Sequence, residues 1–338
     1  MSATHCFESG TWRSFSYLSQ KMNETVGPTA RTMTDLNTTE ANFAITPDSP
    51  GTLWRTSVIA CIAAINIFLS ISASLSNVLI LISLQKVSTL HKPTKLLFQS
   101  LAVTDLFVGL ILQPFHATFL LSLLTKMDTR ATFYIEEINP YVSITLCGVS
   151  VLTSTAISVD RLLALYLGLR YRQVVTMSRV RAFVASSWLI GVSCGSLQIW
   201  SSRIAWIIAS ICAALCMLTS IFSYTKIQIL LRHRQIQIQV RQGQPSAGKI
   251  GLNIERYKAT VSAIFWIQVT LLGCYVPFCI VTVLRIFNEK QLYITWLGTA
   301  TLVYLNSSLN PSLYCWKIRE VRQSLKETVA QFCNCALS

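Results

Sequence analysis

Residues 56–85 read TSVIACIAAINIFLSISASLSNVLILISLQ, a run of 30 residues without a formal charge. At 1.5 Å per residue, a helix of roughly 20 residues already crosses the ~30 Å hydrocarbon core of a bilayer. Six further intervals are 21 to 30 residues long and contain a single Asp between them: 96–125, 138–159, 182–202, 204–225, 259–284 and 291–316. The sequence therefore predicts an all-α fold, a seven-transmembrane helix bundle.

The composition excludes an ordinary soluble protein. Of the 338 residues, 52% are apolar and only 12% are charged, about half the usual charged fraction. The net charge of +14 would by itself suit a nucleic-acid partner, but every Lys and Arg lies outside the seven spans, in the segments that flank them. We therefore expect no nucleic-acid partner.

The basic residues also predict the orientation in the membrane. Segments on one side of the spans hold 19 Lys and Arg residues, whereas the short loops on the other side hold five. Because basic loops stay in the cytoplasm, we expect a plasma-membrane protein with an extracellular N-terminus and a cytoplasmic C-terminus. Two glycosylation sequons agree with this orientation: Asn23 in Asn-Glu-Thr and Asn37 in Asn-Thr-Thr.

Two polar segments flank the bundle of residues 54–316. Residues 1–53 are rich in Thr and Ser, which predicts a disordered, glycosylated extracellular tail. In residues 317–338, apolar side chains alternate with basic ones at helical spacing, namely Ile318, Val321, Leu325, Val329 and Phe332. This pattern predicts a short amphipathic eighth helix on the inner leaflet. Cys333 and Cys335 follow as candidate acylation sites.

Asp105 is the only acidic residue deep within a span. A carboxylate in hydrocarbon is unfavourable by at least ~2.5–3.5 kcal/mol, so it should face the bundle interior and have partners. The candidate partners are oxygen-bearing residues near mid-span: Asn77, Ser150, Asn306, Ser307 and Asn310. Hard oxygen ligands suit Na⁺ better than a transition metal. The sequence predicts a sodium site here, with a protonated, hydrogen-bonded Asp105 as the alternative.

Two spans carry a proline in mid-run, and a third ends in a charged pair. Pro277 on span six and Pro311 on span seven should kink their helices. Kinks beside buried polar residues are places where helices can swing. Asp160 and Arg161 end span three, where a membrane anchor is the simplest interpretation.

Together these features resemble the rhodopsin-like (class A) G-protein-coupled receptors, over about residues 54–335. The motifs lie in order on the expected spans: Asn77, Asp105 in Leu-Ala-Val-Thr-Asp-Leu, Asp160-Arg161-Leu162, Trp188, Tyr224, Cys274-Tyr275-Val276-Pro277 and Asn310-Pro311-x-x-Tyr314. The third is a variant of the family's Asp-Arg-Tyr. The resemblance identifies the chain as a receptor rather than an enzyme.

The resemblance implies roles for these residues. Arg161 would contact a heterotrimeric G protein once span six swings outward, with Tyr224 and Tyr314 moving inward to support it. Leu169 would enter an apolar pocket of the G protein, and Tyr275 stands where most relatives have a ligand-sensing Trp. Asp105 with Ser150, Asn306, Ser307 and Asn310 matches the family's sodium pocket. Arrestin is the other cytoplasmic partner that the family implies.

Three departures from the family pattern narrow the subfamily. Most relatives have a disulfide from the top of span three to the second outer loop, but here that position is Glu136 and the loop has no Cys. The loop itself is reduced to a few residues, about Ser201–Arg203. Cys216 replaces the usual proline of span five. These features resemble the melanocortin, cannabinoid, lysosphingolipid and adenosine receptors, and the melanocortin branch most of all.

The predicted ligand site is aromatic and nearly uncharged. Its candidate residues are Phe115, His116, Ser143, Cys147, Phe278, Cys279, Trp296 and Tyr304. Melanocortin receptors use three acids for a basic peptide, and only Glu136 matches one of them, with Glu137 as a substitute for another. A lipid-like, small apolar or peptide ligand remains open. The other span cysteines are interpreted as small packing residues.

Tyr257 stands at the foot of span six, where relatives often have an acid that ties down the Arg of span three. This departure predicts a weak inactive-state lock and high basal activity.

Three alternatives remain open: a decoupled receptor-like protein acting as a dimerisation or scavenging partner, a cation-coupled transporter and a membrane enzyme. A transporter predicts internal symmetry and broken half-helices, which the sequence lacks. An enzyme needs a nucleophile–base set, and none of the four histidines is paired. The sequence is compatible with a monomer, a homodimer or a heterodimer with another receptor.

Overall fold

The computed structural model describes residues 52–87, 90–125, 130–240, 247–285, 291–317 and 319–337. The chain divides into two units, Met1–Thr56 and Ser57–Ser338. Only the last residues of the first unit, 52–56, are described. The predicted sequons at Asn23 and Asn37 and nearly all of the predicted tail lie outside the described residues.

The described residues form eight long helices, named α1 to α8: α1 Thr52–Lys86, α2 Lys92–Phe107 and Gln113–Thr125 joined by a π-helical turn at Val108–Leu112, α3 Arg130–Leu167, α4 Met177–Ser196, α5 Ser202–Val240, α6 Ala247–Arg285, α7 Tyr293–Lys317 and α8 Arg319–Leu337. A 3₁₀ turn, Gly168–Arg170, and a short helix, Tyr171–Val174, join α3 to α4. A second 3₁₀ turn, Leu197–Ile199, leads directly into α5.

The predicted seven-helix bundle is confirmed. Within the described residues, six helices are long and apolar enough to cross a membrane. The seventh, α7, carries Asn306, Ser307 and Asn310 in its middle, which lower its mean hydropathy. These three side chains are buried, so α7 turns its polar residues into the bundle. The protein is therefore a multi-pass membrane protein.

The helices extend further than the uncharged intervals predict. α5 continues beyond the uncharged interval 204–225 to Val240, and α6 begins at Ala247, well before the interval 259–284. Arg and Gln, which are good helix formers, fill the end of α5. Gly243 and Pro245, which disfavour helix, lie between the two helices.

α1 and α2 approach closely at Gly109, within the π-helical turn. Ser70 on α1 donates a hydrogen bond to the Gly109 carbonyl oxygen at 2.7 Å. A Cβ atom at position 109 would lie 2.8 Å from Ser74 Oγ and 2.9 Å from the Ser74 backbone nitrogen. The contact therefore requires glycine.

The amphipathic helix α8 docks onto the end of α1. Val321 is buried in one hydrophobic cluster together with Leu84 and Leu101, and Ser324 donates a hydrogen bond to the Ser83 carbonyl at 3.1 Å. Lys86 donates to Thr328 Oγ1 and Gln331 Oε1 at 3.0 and 2.8 Å. The eighth helix predicted from the sequence is confirmed. The side chains of Cys333 and Cys335 lie outside the described ones.

Candidate functional site

Asp105 lies in the centre of the bundle with no exposed surface. Its Oδ1 accepts hydrogen bonds from Ser307 on α7 at 2.7 Å and from Ser150 on α3 at 3.3 Å. Its Oδ2 accepts one from Asn310 Nδ2 at 2.8 Å. Three donors from two other helices therefore converge on one carboxylate and tie α2 to α3 and α7.

The remaining predicted pocket residues lie near this cluster without bonding to Asp105. Asn77 on α1 donates to the Ser307 carbonyl at 3.0 Å, so it positions a partner of Asp105. Asn306 is buried, and its Oδ1, like that of Asn310, has no hydrogen-bond partner among the described residues. The pocket thus combines a carboxylate, two hydroxyls and unpaired amide oxygens. Hard oxygen donors of this kind fit Na⁺.

Softer metals have no comparable site in the described part of the chain, where no three His, Cys, Asp or Glu side chains are grouped to hold an ion.

A second polar cluster holds Arg161 near the C-terminal end of α3. The guanidinium forms an ion pair with Asp160, with Nε 3.0 Å from Oδ2, and it also donates to Thr94 on α2. Tyr171, in the short helix after α3, donates to Asp160 Oδ1 at 2.6 Å. Arg161 is therefore held sideways against α2 and the short helix in this conformation. Leu169, beside that helix, is 99% exposed, as an apolar contact for a partner would be.

α3 and α6 are joined by a hydrogen bond that the sequence did not suggest. Gln268 on α6 donates to the hydroxyl of Ser158 on α3, and both side chains are buried. Nearby, the Tyr224 ring on α5 stacks on Phe265 of α6, with ring centroids 4.9 Å apart. Pro277 and Pro311 lie inside α6 and α7. Tyr257 and Tyr314 fall within α6 and α7, but their side chains lie outside the described ones.

A cavity of about 120 Å³ lies between α3, α4, α5, α6 and α7, toward the N-terminal end of α3. Tyr275 forms part of its wall, and its hydroxyl donates to the Cys147 carbonyl at 3.3 Å. Of the predicted ligand residues, five line the cavity: Ser143, Cys147, Phe278, Cys279 and Tyr304.

The other predicted ligand residues do not line this cavity. Trp296 lies behind its wall, against Trp206 with ring centroids 5.5 Å apart, and His116 packs edge-on against Tyr304 at 5.2 Å. Phe115 and Glu136 are half-buried elsewhere and Glu137 is exposed. The cavity therefore contains neither predicted acid.

Three cysteines interpreted from the sequence as packing residues also line the cavity: Cys194, Cys212 and Cys216. Their small size beside Gly191 and Ala213 leaves the space open, but small residues in a span signal packing as readily as a cavity. A cavity differs from close packing only in the distance between α4 and α5, and the sequence of one chain does not determine this distance.

Comparisons with known proteins agree with this architecture. The family described as "7 transmembrane receptor (rhodopsin family)" matches residues 76–314. Melanocortin receptor 5 of Ovis aries is 28% identical over 281 residues, covering 79% of this chain and 84% of the relative. The Bos taurus protein of the same name is 26% identical over 310 residues, covering 87% and 91%. These relatives confirm the predicted similarity to the melanocortin branch. Because the family match covers most of its length, the chain belongs to the rhodopsin family of seven-transmembrane receptors.

Proposed function

We propose that this protein is a cell-surface receptor that binds a lipid-like or small apolar ligand in the cavity and activates heterotrimeric G proteins. The single observation that carries the ligand class is the cavity wall, whose described residues include no formally charged side chain. A basic peptide or an amine needs a counter-ion that such a wall does not supply.

The position of the cavity supports a ligand dissolved in the membrane. Ile190 on α4 and Cys212 on α5 both line the cavity and are both exposed on the bundle surface, Ile190 by 49%. An apolar molecule could therefore reach the cavity from the bilayer, between these two helices. The relatives are named melanocortin receptors, so a peptide ligand that uses Glu136 and Glu137 at the outer surface is the competing proposal.

Coupling would occur at the cytoplasmic end of α3. Outward movement of α6 would break the bond from Gln268 to Ser158 and open a cleft beside Arg161. Arg161 could then exchange Asp160 and Thr94 for the C-terminal helix of the G protein, with Tyr224 and Tyr314 supporting it and Leu169 contacting the G protein from the side. Arrestin would use the same face. In this orientation Asn23 and Asn37 are extracellular and glycosylated, and Cys333 and Cys335 are acylated at the inner leaflet.

Na⁺ is proposed as an allosteric ion held by oxygens of Asp105, Ser150, Ser307, Asn306 and Asn310. The ion would supply positive charge that stabilises the bundle in the conformation in which α2, α3 and α7 meet at Asp105.

We also propose measurable basal activity, because a neutral hydrogen bond between Gln268 and Ser158 holds α6 less firmly than a buried ion pair would. Cells with increasing receptor dose and no added ligand test this directly. A G-protein reporter signal that rises with surface expression is expected. A reporter signal that stays flat at high surface expression would contradict basal activity.

A further inference from the structure

Two polar side chains on the extracellular half of α2 are buried without hydrogen-bond partners. Gln113 is 0% exposed and His116 is 1% exposed. Neither the amide oxygen and nitrogen of Gln113 nor the two ring nitrogens of His116 has a partner among the described residues. A buried polar group left unpaired is unfavourable by about 1–3 kcal/mol. Two such residues one turn apart indicate a place where a ligand supplies the missing partners.

The local helix geometry brings these two residues to one face. Residues three apart in a helix point in the same direction. The π-helical turn Val108–Leu112 ends immediately before Gln113 and rotates the rest of α2 relative to its cytoplasmic half. Such turns within helices occur frequently at functional sites. The side chains of Gln113 and His116 therefore lie together inside the bundle, Gln113 one turn deeper.

Tyr304 connects this face to the cavity. Its ring lines the cavity and packs edge-on against the His116 ring, with centroids 5.2 Å apart. Its hydroxyl lies 3.3 Å from that of Ser143, which also lines the cavity. A rotation of the Tyr304 side chain would thus join the apolar cavity to the polar face of α2.

We propose that Gln113 and His116 form a polar subsite that binds the uncharged, hydrogen-bonding head of an apolar ligand. The ligand body would lie in the cavity between α3, α4, α5 and α6. A primary amide fits best, since it both donates and accepts, as Gln113 and His116 together do. A carboxylate or an ammonium head would need an opposite charge that the cavity wall lacks. This inference rests on the apolar ligand site proposed above.

The test uses the full-length receptor in detergent micelles and five probes that share one alkyl chain. Dodecanamide, dodecanol, dodecanoic acid, dodecylamine and dodecane differ only in the head, and the rise in Tm with probe concentration reports binding. Dodecanamide should bind the wild type more tightly than any other probe. Gln113→Met and His116→Phe should each weaken dodecanamide roughly tenfold, the loss expected for one buried hydrogen bond, and leave dodecane unchanged.

The matched control is Gln198→Met. The Gln198 amide nitrogen is also buried and unpaired within the described residues, but Gln198 follows α4 and does not line the cavity. This variant should bind dodecanamide like the wild type. Gln113→Met removes an unpaired amide, so the variant should fold, and its Tm without probe verifies this.

Several results would overturn the subsite. Equal binding of dodecane and dodecanamide would leave the apolar cavity in place and exclude a polar head site. Tighter binding of dodecanoic acid or dodecylamine would exclude an uncharged head. Unchanged dodecanamide affinity in both variants, or no binding of any probe to the wild type, would also exclude the assignment. None of these results bears on G-protein coupling, which ligand-free signalling tests separately.

Discussion

Gln268 on α6 donates a hydrogen bond to the Ser158 hydroxyl on α3, one helical turn before Arg161. Both residues are buried, and the bond crosses the interface that must open if α6 is to move away from α3. A bond of this kind contributes about 0.5–1.5 kcal/mol. We therefore expect this bond to restrain α6 against α3 and to lower ligand-free signalling.

Ser158→Ala and Gln268→Met should raise ligand-free signalling by roughly two- to tenfold, the factor that corresponds to losing one such bond. The G-protein reporter signal at matched surface expression measures this. Ser154→Ala is the control, because Ser154 lies one turn away on α3, is equally buried and has no hydrogen-bond partner for its hydroxyl among the described side chains. Equal signals from Ser158→Ala and Ser154→Ala would show that the bond does not restrain activation.

Gly109→Ala should destabilise the receptor by about 1–3 kcal/mol, because its new methyl group would overlap Ser74 on α1 and overpack the interface. Gly273→Ala on α6 is the counterpart, since a Cβ there has nothing within 4 Å, and alanine favours helix over glycine by about 1 kcal/mol. Tm and surface expression should fall for the first variant and hold or rise for the second. The reverse order would mean that α1 and α2 do not pack as described.

Na⁺ should stabilise the wild type through the oxygens around Asp105. At ten times its Kd, a ligand adds about 1.4 kcal/mol, which corresponds to a few degrees in Tm. The measurement compares Tm in sodium chloride and in choline chloride at the same ionic strength. Asp105→Asn, which keeps the shape but removes the charge, should abolish the difference. A sodium effect of the same size in Asp105→Asn would place the ion elsewhere.

Acid should destabilise the end of the bundle at which α2 begins, through His91. Its ring packs against Tyr171, with centroids 5.2 Å apart. Burial lowers its pKa below 6.5, Asp160 opposes this, and Arg172 and Arg161 lower it further. Because the unfolded chain then binds more protons, stability is lost as the pH falls below 6.5 toward the lower pKa of the folded state.

His91→Phe retains the ring contact but does not titrate. Comparing Tm between about pH 7.5 and pH 5.5 should show a smaller acid loss in this variant than in the wild type. Identical slopes would mean that another group controls the acid sensitivity.

Some features of this structure follow from the sequence and others do not, depending on the type of residue from which they are predicted. The spans follow from the absence of formal charge, because a charged side chain in hydrocarbon is unfavourable. The same reasoning ends α5 too early and begins α6 too late, since both helices continue through charged and polar residues beyond the uncharged intervals. The candidate partners of Asp105 follow from the oxygen-bearing side chains near mid-span as well as from the family resemblance, and of these Ser150, Ser307 and Asn310 contact it.

Most of the site features that the sequence does not predict involve uncharged amide side chains. Gln113 and Gln268 lie within the predicted spans 96–125 and 259–284, where counting charges overlooks them, although an amide in hydrocarbon also needs partners. A search for Gln and Asn within the spans would have found both. Gln268 is paired with Ser158, whereas Gln113 has no hydrogen-bond partner among the described residues. This difference depends on how α2, α3 and α6 pack, and the spacing of residues along one chain does not determine that packing.

The most direct test of the central claim, that Arg161 couples this receptor to G proteins, is a ligand-free activation panel in cells. Wild type and Arg161→Ala are compared at matched surface expression against the Gs, Gi, Gq and G12 classes. The account predicts basal activation of at least one class by the wild type and its loss in Arg161→Ala. Basal activation that persists unchanged in Arg161→Ala would contradict it.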